Sequence, residues 1–174
     1  DLRYGFYHAF EVLEAATGAV RRALDEAGTR PAPGARRATA ATAARWDLHG
    51  RLLALDAAAL DVAPGSEEWT IRQTLAHIVH AQRSYGRYSA WWLLQRDAAI
   101  VPDKAPDDLG FPMPEEAAEG AGTPEEIRER LDGLLDAAMA AFGGLDDEAL
   151  AVPARWSGIR VDVGFRLGRW ASHI

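Results

Sequence analysis

Two histidines carry the most chemistry in this chain. His77 lies in "TIRQTLAHIVHAQ" and His173 in "GRWASHI", each directly before an isoleucine in an amphipathic helical pattern. At about 100° per residue, Ile71, Leu75, Ile78, Gln82, Tyr85 or Gly86, Ser89, and Trp92 or Leu93 form the inward face of the earlier helix. His77 sits on the flank of that face, in a row with Thr70, Thr74, Ala81, Ser84 and Tyr88. The row is small and polar, which suits a cavity wall better than a core seam, and Thr74, Ser84 and Tyr88 are its candidate cofactor-lining residues. His80 groups with Gln73, Arg83 and Arg87 on the expected solvent face. In the last helix His173 stands beside the stripe Leu167, Trp170, Ala171 and Ile174 as His77 stands beside its own. Neutral imidazole is the commonest metal ligand, and facing helices of a bundle are a standard place to build such a site. Two ligands are fewer than the three that a catalytic zinc site takes. Spacing alone therefore leaves open a second reading, two half-buried structural histidines.

The elements that must position these rings are nearly all helical. Leu2, Phe6, Phe10, Leu13, Val20 and Leu24 recur at helical spacing up to a stop at Gly28. After the Pro- and Gly-containing connection "TRPAPGARRATA", a second helix is expected from about Thr39 to Leu55, broken by Pro64 and Gly65. Thr70 and Gln73 have capping-box spacing and open a third helix that can run to about Arg96. The segment 97–122 holds four prolines and reads as a long irregular loop, often a lid or binding segment. Thr123, Pro124 and Glu126 open a fourth long helix, with Ile127, Leu131, Leu134, Leu135, Ala138, Met139 and Phe142 as its core stripe. "PARWSGIRVDV" can be an irregular link or a small hairpin. A last helix is expected from near Val163 through Ile174. The whole reads as one all-α domain, 1–174, an up-and-down four-helix bundle.

Composition narrows the function classes. The chain has 174 residues, 48% hydrophobic and 26% charged, with a net charge of −7 and no cysteine. It therefore has no thiol nucleophile, disulfide or Cys-based zinc site of its own. "GARR" is the one compact basic cluster, so a nucleic-acid interface is not expected. No membrane-spanning run and no secretion signal are read, which favours the cytoplasm. The six tryptophans are expected in core and interface packing rather than in a ligand cage. The chain starts without Met and ends inside a helical pattern, so the natural protein is expected to continue beyond it.

Here the sequence resembles a known family. "EWTIRQTLAHIVHAQRSYG" is similar to the part of DinB-like bundle proteins in which a Trp precedes a helix carrying one His. "GFRLGRWASHI" resembles the start of their last helix, which carries two histidines four residues apart. The order of elements matches over most of the chain, the specific motifs over these two stretches. The resemblance implies a four-helix bundle, often a homodimer, with a divalent metal, zinc or nickel, on three histidines. His77 matches the first ligand and His173 the second; the third would lie four residues after His173, past Ile174. Relatives include thiol-dependent maleylpyruvate isomerase metal-binding domains. That implies a metal- and thiol-dependent transferase or isomerase whose partners are mycothiol or a similar small thiol and an electrophilic substrate. Arg166 and Arg169 could meet a carboxylate on either, although a solvated helix face is the plainer reading of both. Metal-assisted hydrolysis is the second enzymatic reading, and it needs a carboxylate base that Glu11, Glu14 or Asp47 cannot be shown to supply. The third is a non-enzymatic, stress-related dimer that binds metal or a small ligand.

Overall fold

A computed structural model describes residues 2–53, 55–110 and 113–174, without the side chains of residues 2–4, 6, 7 and 10. The chain divides into two compact units, Asp1–Pro31 and Ala32–Ile174. In the first, helix α1 (Leu2–Glu26) ends before Gly28, whose φ of 67° lies in the left-handed region that favours glycine. Thr29 N–H reaches back to the Leu24 carbonyl at 2.9 Å and closes the helix. Of the expected core stripe, the side chains of Leu2, Phe6 and Phe10 lie outside the described residues. Leu13, Val20 and Leu24 are exposed rather than buried.

The second unit contains α2 (Pro33–Leu52), a 3-10 turn (Ala57–Asp61), α3 (Ile71–Leu93), α4 (Glu116–Glu119), α5 (Pro124–Phe142) and α6 (Asp147–Leu150). The hairpin β1 (Pro153–Trp156) and β2 (Ile159–Asp162), α7 (Val163–Gly168) and a 3-10 turn (Trp170–His173) complete it. Helix dominates, and the hairpin is the one sheet among the described residues. The long helix α5 packs against both α2 and α3, and α7 closes against α2 and α3. Trp92 and Trp170, each 2% exposed, anchor one apolar cluster with Phe142, Val163 and Leu167. Leu60, Leu75, Val79, Ile127 and Leu131 form another. No helix among the described residues is long and apolar enough to cross a membrane.

Three boundaries differ from expectation. Helix α2 begins at Pro33, inside the segment read as a connection. Proline suits a first helical position, and Gly34 and Ala35 N–H donate to the carbonyls of Leu145 and Gly143, both at 2.9 Å. A Cβ on Gly34 would stand 2.0 Å from the Phe142 carbonyl oxygen, so this docking needs glycine. Within the loop, residues 116–119 form a helical turn. The last helix stops at Gly168 and tightens into a 3-10 turn instead of running on to Ile174.

Candidate functional site

Helix α3 supplies one wall of the site. Its start is fixed by the expected capping box, with Gln73 N–H donating to Thr70 Oγ1 at 3.1 Å and Thr70 N–H to Gln73 Oε1 at 2.8 Å. Leu75, Ile78, Val79, Tyr85 and Trp92 bury its apolar side and hold its rotation. Buried Gln82 donates from Nε2 to the carbonyls of Trp170, at 3.0 Å, and His173, at 3.4 Å. One amide thus ties the last turn of the chain to α3. Across that tie the rings of His77 and His173 face each other with centroids 6.4 Å apart. Trp69, just before the helix, packs on His77 at 5.2 Å, and Tyr85 on His173 at 5.1 Å.

A carboxylate that the sequence did not single out completes this end. His77 Nδ1–H donates to Glu116 Oε1 at 3.3 Å. Glu116 begins α4, which three arginines clamp in place. Arg83 pairs with both oxygens of Glu119, a carboxylate with 2% of its side chain exposed. Arg130 donates to the carbonyls of Glu119 and Ala121. Arg72 donates from Nη1 to the carbonyls of Gly120 and Gly122, both at 2.8 Å, while gripping Asp61. The end of α4 lies so close to α3 that a Cβ on Gly120 would meet the Ala76 Cβ at 2.8 Å.

The opposite wall comes from the hairpin and α7. Ser157 and Gly158, with φ of 46° and 82°, make the two-residue turn whose positive angles match the twist of a hairpin. Strand alternation puts Trp156 on the same face as buried Ala154, and its ring stacks on Tyr85 at 5.0 Å. Arg166 is only 6% exposed. Its guanidinium lies 5.6 Å from the Trp156 ring centre and 5.9 Å from that of Tyr88. Exposed Arg169 covers Trp156 at 5.6 Å. Burial lowers the Arg166 pKa, and burial, then Arg169 and His77, hold His173 below the ordinary imidazole value. Burial raises the Tyr85 phenol, against the pull of Arg169 and Arg166.

These residues line a cleft of about 280 Å³ that takes in His77, His80, Ser84, Tyr85, Trp156, Arg166 and His173. Of the three expected pocket-lining residues it contains Ser84. Tyr88 lines the adjoining hollow on the other side of Arg166, and Thr74 is exposed, its hydroxyl donating to the Thr70 carbonyl. His80 is half-buried and lines the cleft, against its expected place on the solvent face. Arg166 is likewise buried, not on a solvated face. Trp156 lines the cleft, whereas Trp92 and Trp170 are core as expected. Asp47 is exposed and pairs with Arg51. Glu11 and Glu14 belong to the first unit and are exposed.

No group of three or more His, Cys, Asp or Glu able to hold an ion occurs among the described residues. Two imidazoles on one tetrahedral ion stand with ring centres roughly 5 Å apart, from metal–nitrogen distances of about 2.0–2.1 Å. The observed 6.4 Å is wider than that. The chemistry of the pair nonetheless fits: His77 gives one ring N–H to a carboxylate, which leaves Nε2 as the lone-pair donor, the usual arrangement of a ligating histidine. His173, held toward its neutral form, offers a lone pair as well.

A larger concavity of about 550 Å³ lies between α3 and α5, lined by Gly86, Ala90, Trp91, Leu94, Ala137 and Ala141 among others. Its wall is mostly apolar, and Arg83 at its edge is already paired with Glu119. The histidines gather in the smaller cleft.

Residues 40–174 match a family model, that of the DinB superfamily. No curated protein and no solved structure matches the chain.

Proposed function

The chain belongs to the DinB superfamily, and we propose that its cleft is a divalent-metal site that takes up a low-molecular-weight thiol. The observation that carries this reading is the His77–His173 pair with Glu116 behind His77. His77 and His173 would hold zinc or nickel, with a third nitrogen from the residue four positions after His173, past Ile174. Within the same proposal, α2, α3, α5 and the α7 region are the four members of an up-and-down bundle. A metal bound there would keep a small thiol, mycothiol or a similar one, as its thiolate.

The chain's own residues would do the rest. Glu116 fixes the ring orientation of His77. Gln82 holds the backbone that carries His173. Arg166 and Arg169 set a positive potential along the cleft, which favours a thiolate over a thiol. Trp156 and Tyr85 narrow the approach and limit water. With no cysteine, the protein has to borrow its nucleophile, and the electrophilic substrate then meets it as in a transferase or isomerase. A homodimer in the cytosol belongs to the proposal too, and sedimentation velocity reads the first part directly.

Glu116 gives a hydrolytic reading some footing, since it is a carboxylate at the site. Its Oε1 is engaged by His77 Nδ1, however, and so is poorly disposed to take a proton from water. The test is cobalt substitution of the full-length protein. Millimolar thiol should raise a sulfur-to-cobalt charge-transfer band and release about one proton near neutral pH. No band, together with hydrolysis of a simple ester, would replace this reading with the hydrolytic one. Neither response would leave a binding module.

A further inference from the structure

Arg166 is a buried cation with no carboxylate against it. Its one hydrogen bond among the described residues runs from Nη1 to the Arg155 carbonyl, at 2.8 Å. Its Nε–H is buried and has no acceptor. The acids nearest in the adjoining hollow are occupied, Asp103 by Arg155 at 2.9 Å and Asp107 by Lys104 at 3.6 Å. The aromatic faces of Trp156 and Tyr88 compensate part of the charge but accept nothing in the plane of the guanidinium. Leaving a charged donor desolvated and unmet is costly, so the group calls for a partner.

The pattern of the unmet donors is specific. With Nη1 engaged, Nε–H and Nη2–H remain as two parallel donors on one edge of a planar group. That fork matches the two oxygens of a carboxylate. Arg169 adds a second positive charge beside the same Trp156 ring.

We propose that Arg166 forms a carboxylate subsite in this cleft, holding the acid group of a small organic acid side-on through Nε and Nη2. The proposal rests on reading the cleft as the functional site, and it does not require the metal. Solvent does not reach Nε, so a side chain beside the guanidinium has to shift as the acid enters, and the Trp156 ring, 5.6 Å away, reports binding. The substrate class that follows is a small organic anion whose far end extends toward the histidines.

The test uses full-length protein stripped of metal by chelator, with benzoate as probe and benzamide as its uncharged isostere, followed by tryptophan fluorescence and calorimetry. Benzoate should bind at least about tenfold more tightly than benzamide, because only the anion can engage the charged fork. Arg166→Gln should abolish that preference. The exposed Arg169→Gln should weaken benzoate only about two- to threefold, a field effect across a screened surface. Trp156→Phe should remove most of the fluorescence change and keep the calorimetric preference. Equal binding of the two probes by the wild type, which needs no variant to fold, overturns the proposal. So does a folded Arg166→Gln protein that retains the preference, or benzoate binding that appears only when zinc is restored. His77→Ala should weaken zinc binding at least about a hundredfold and leave benzoate binding intact, so this subsite and the metal reading fail separately.

Discussion

His77 and His173 reach each other by different means, and each means can be broken alone. His77 is carried by a capped, well-buried helix and oriented by Glu116; His173 is carried by a turn that Gln82 holds from across the cleft. Glu116→Ala should therefore lower the divalent-ion affinity of the full-length protein about ten- to a hundredfold, read by chelator competition, without changing its stoichiometry. His173 also makes a pH signature. Its folded pKa lies below the ordinary value, so below about pH 6.5 the unfolded chain binds more protons than the folded one. Stability should be fully present above that pH and decline as pH falls toward the folded value. His173→Gln should flatten the decline in urea titrations of the metal-free protein; an unchanged slope would assign it to other groups. At this scale the sequence was legible for residues whose role follows from helical phase alone. His77 and Ser84 line the cleft, and Gln82 and Ser89 are buried where the phase put them. His80 was misassigned because three residues is a rotation of about 300°, which leaves it only about 60° from His77. Glu116 does not stand out in the sequence, and a solvated face is the plainer reading of Arg166 there, for another reason. Burial of an arginine and a pairing 39 residues apart depend on elements that no local pattern relates.

Apolar burial holds α3, and polar clamps hold α4 against it. Helix α4 is too short to hold itself, and its place depends on Arg72, Arg83 and Arg130. Glu119→Ala would strand Arg83 beside an emptied pocket and should cost about 3 kcal/mol in denaturant unfolding, within the range for breaking a buried pair. Glu148→Ala removes the partner of Arg96 at an exposed site, 77% for the glutamate, and should cost under about 1 kcal/mol. Similar losses in both would show that α4 is not clamped as described. Gly120→Ala forces a Cβ into Ala76 and should cost about 1–3 kcal/mol. Because it pushes α4 and Glu116 away from α3, it should weaken metal uptake as well. Both capping boxes were readable from four residues each and occur as read. The turn at residues 116–119 was not, because its stability comes from arginines on α3 and α5. The break after Gly168 was hidden too, since 3.6- and 3.0-residue periods are nearly indistinguishable over so short a stretch.

Over the whole molecule, the helical class was plain in the sequence, and the match of residues 40–174 to one superfamily agrees with it. The limits of the helix-bearing core were less plain. Residues 1–31 carry a helical stripe as regular as any, yet its described apolar side chains are exposed, which periodicity cannot foretell because it reports a face and not what covers it. The net charge of −7 likewise gave no hint of a cleft with a buried arginine in its wall, because a sum conceals where the charges sit. Metal titration of the full-length protein and three variants tests most directly the proposal that His77 and His173 together hold a divalent ion in that cleft. The expected result is one zinc per chain for the wild type, at least about a hundredfold weaker binding for His77→Ala and for His173→Ala, and near wild-type binding for His80→Ala. Wild-type affinity in either of the first two variants, or equal losses in all three, would contradict it.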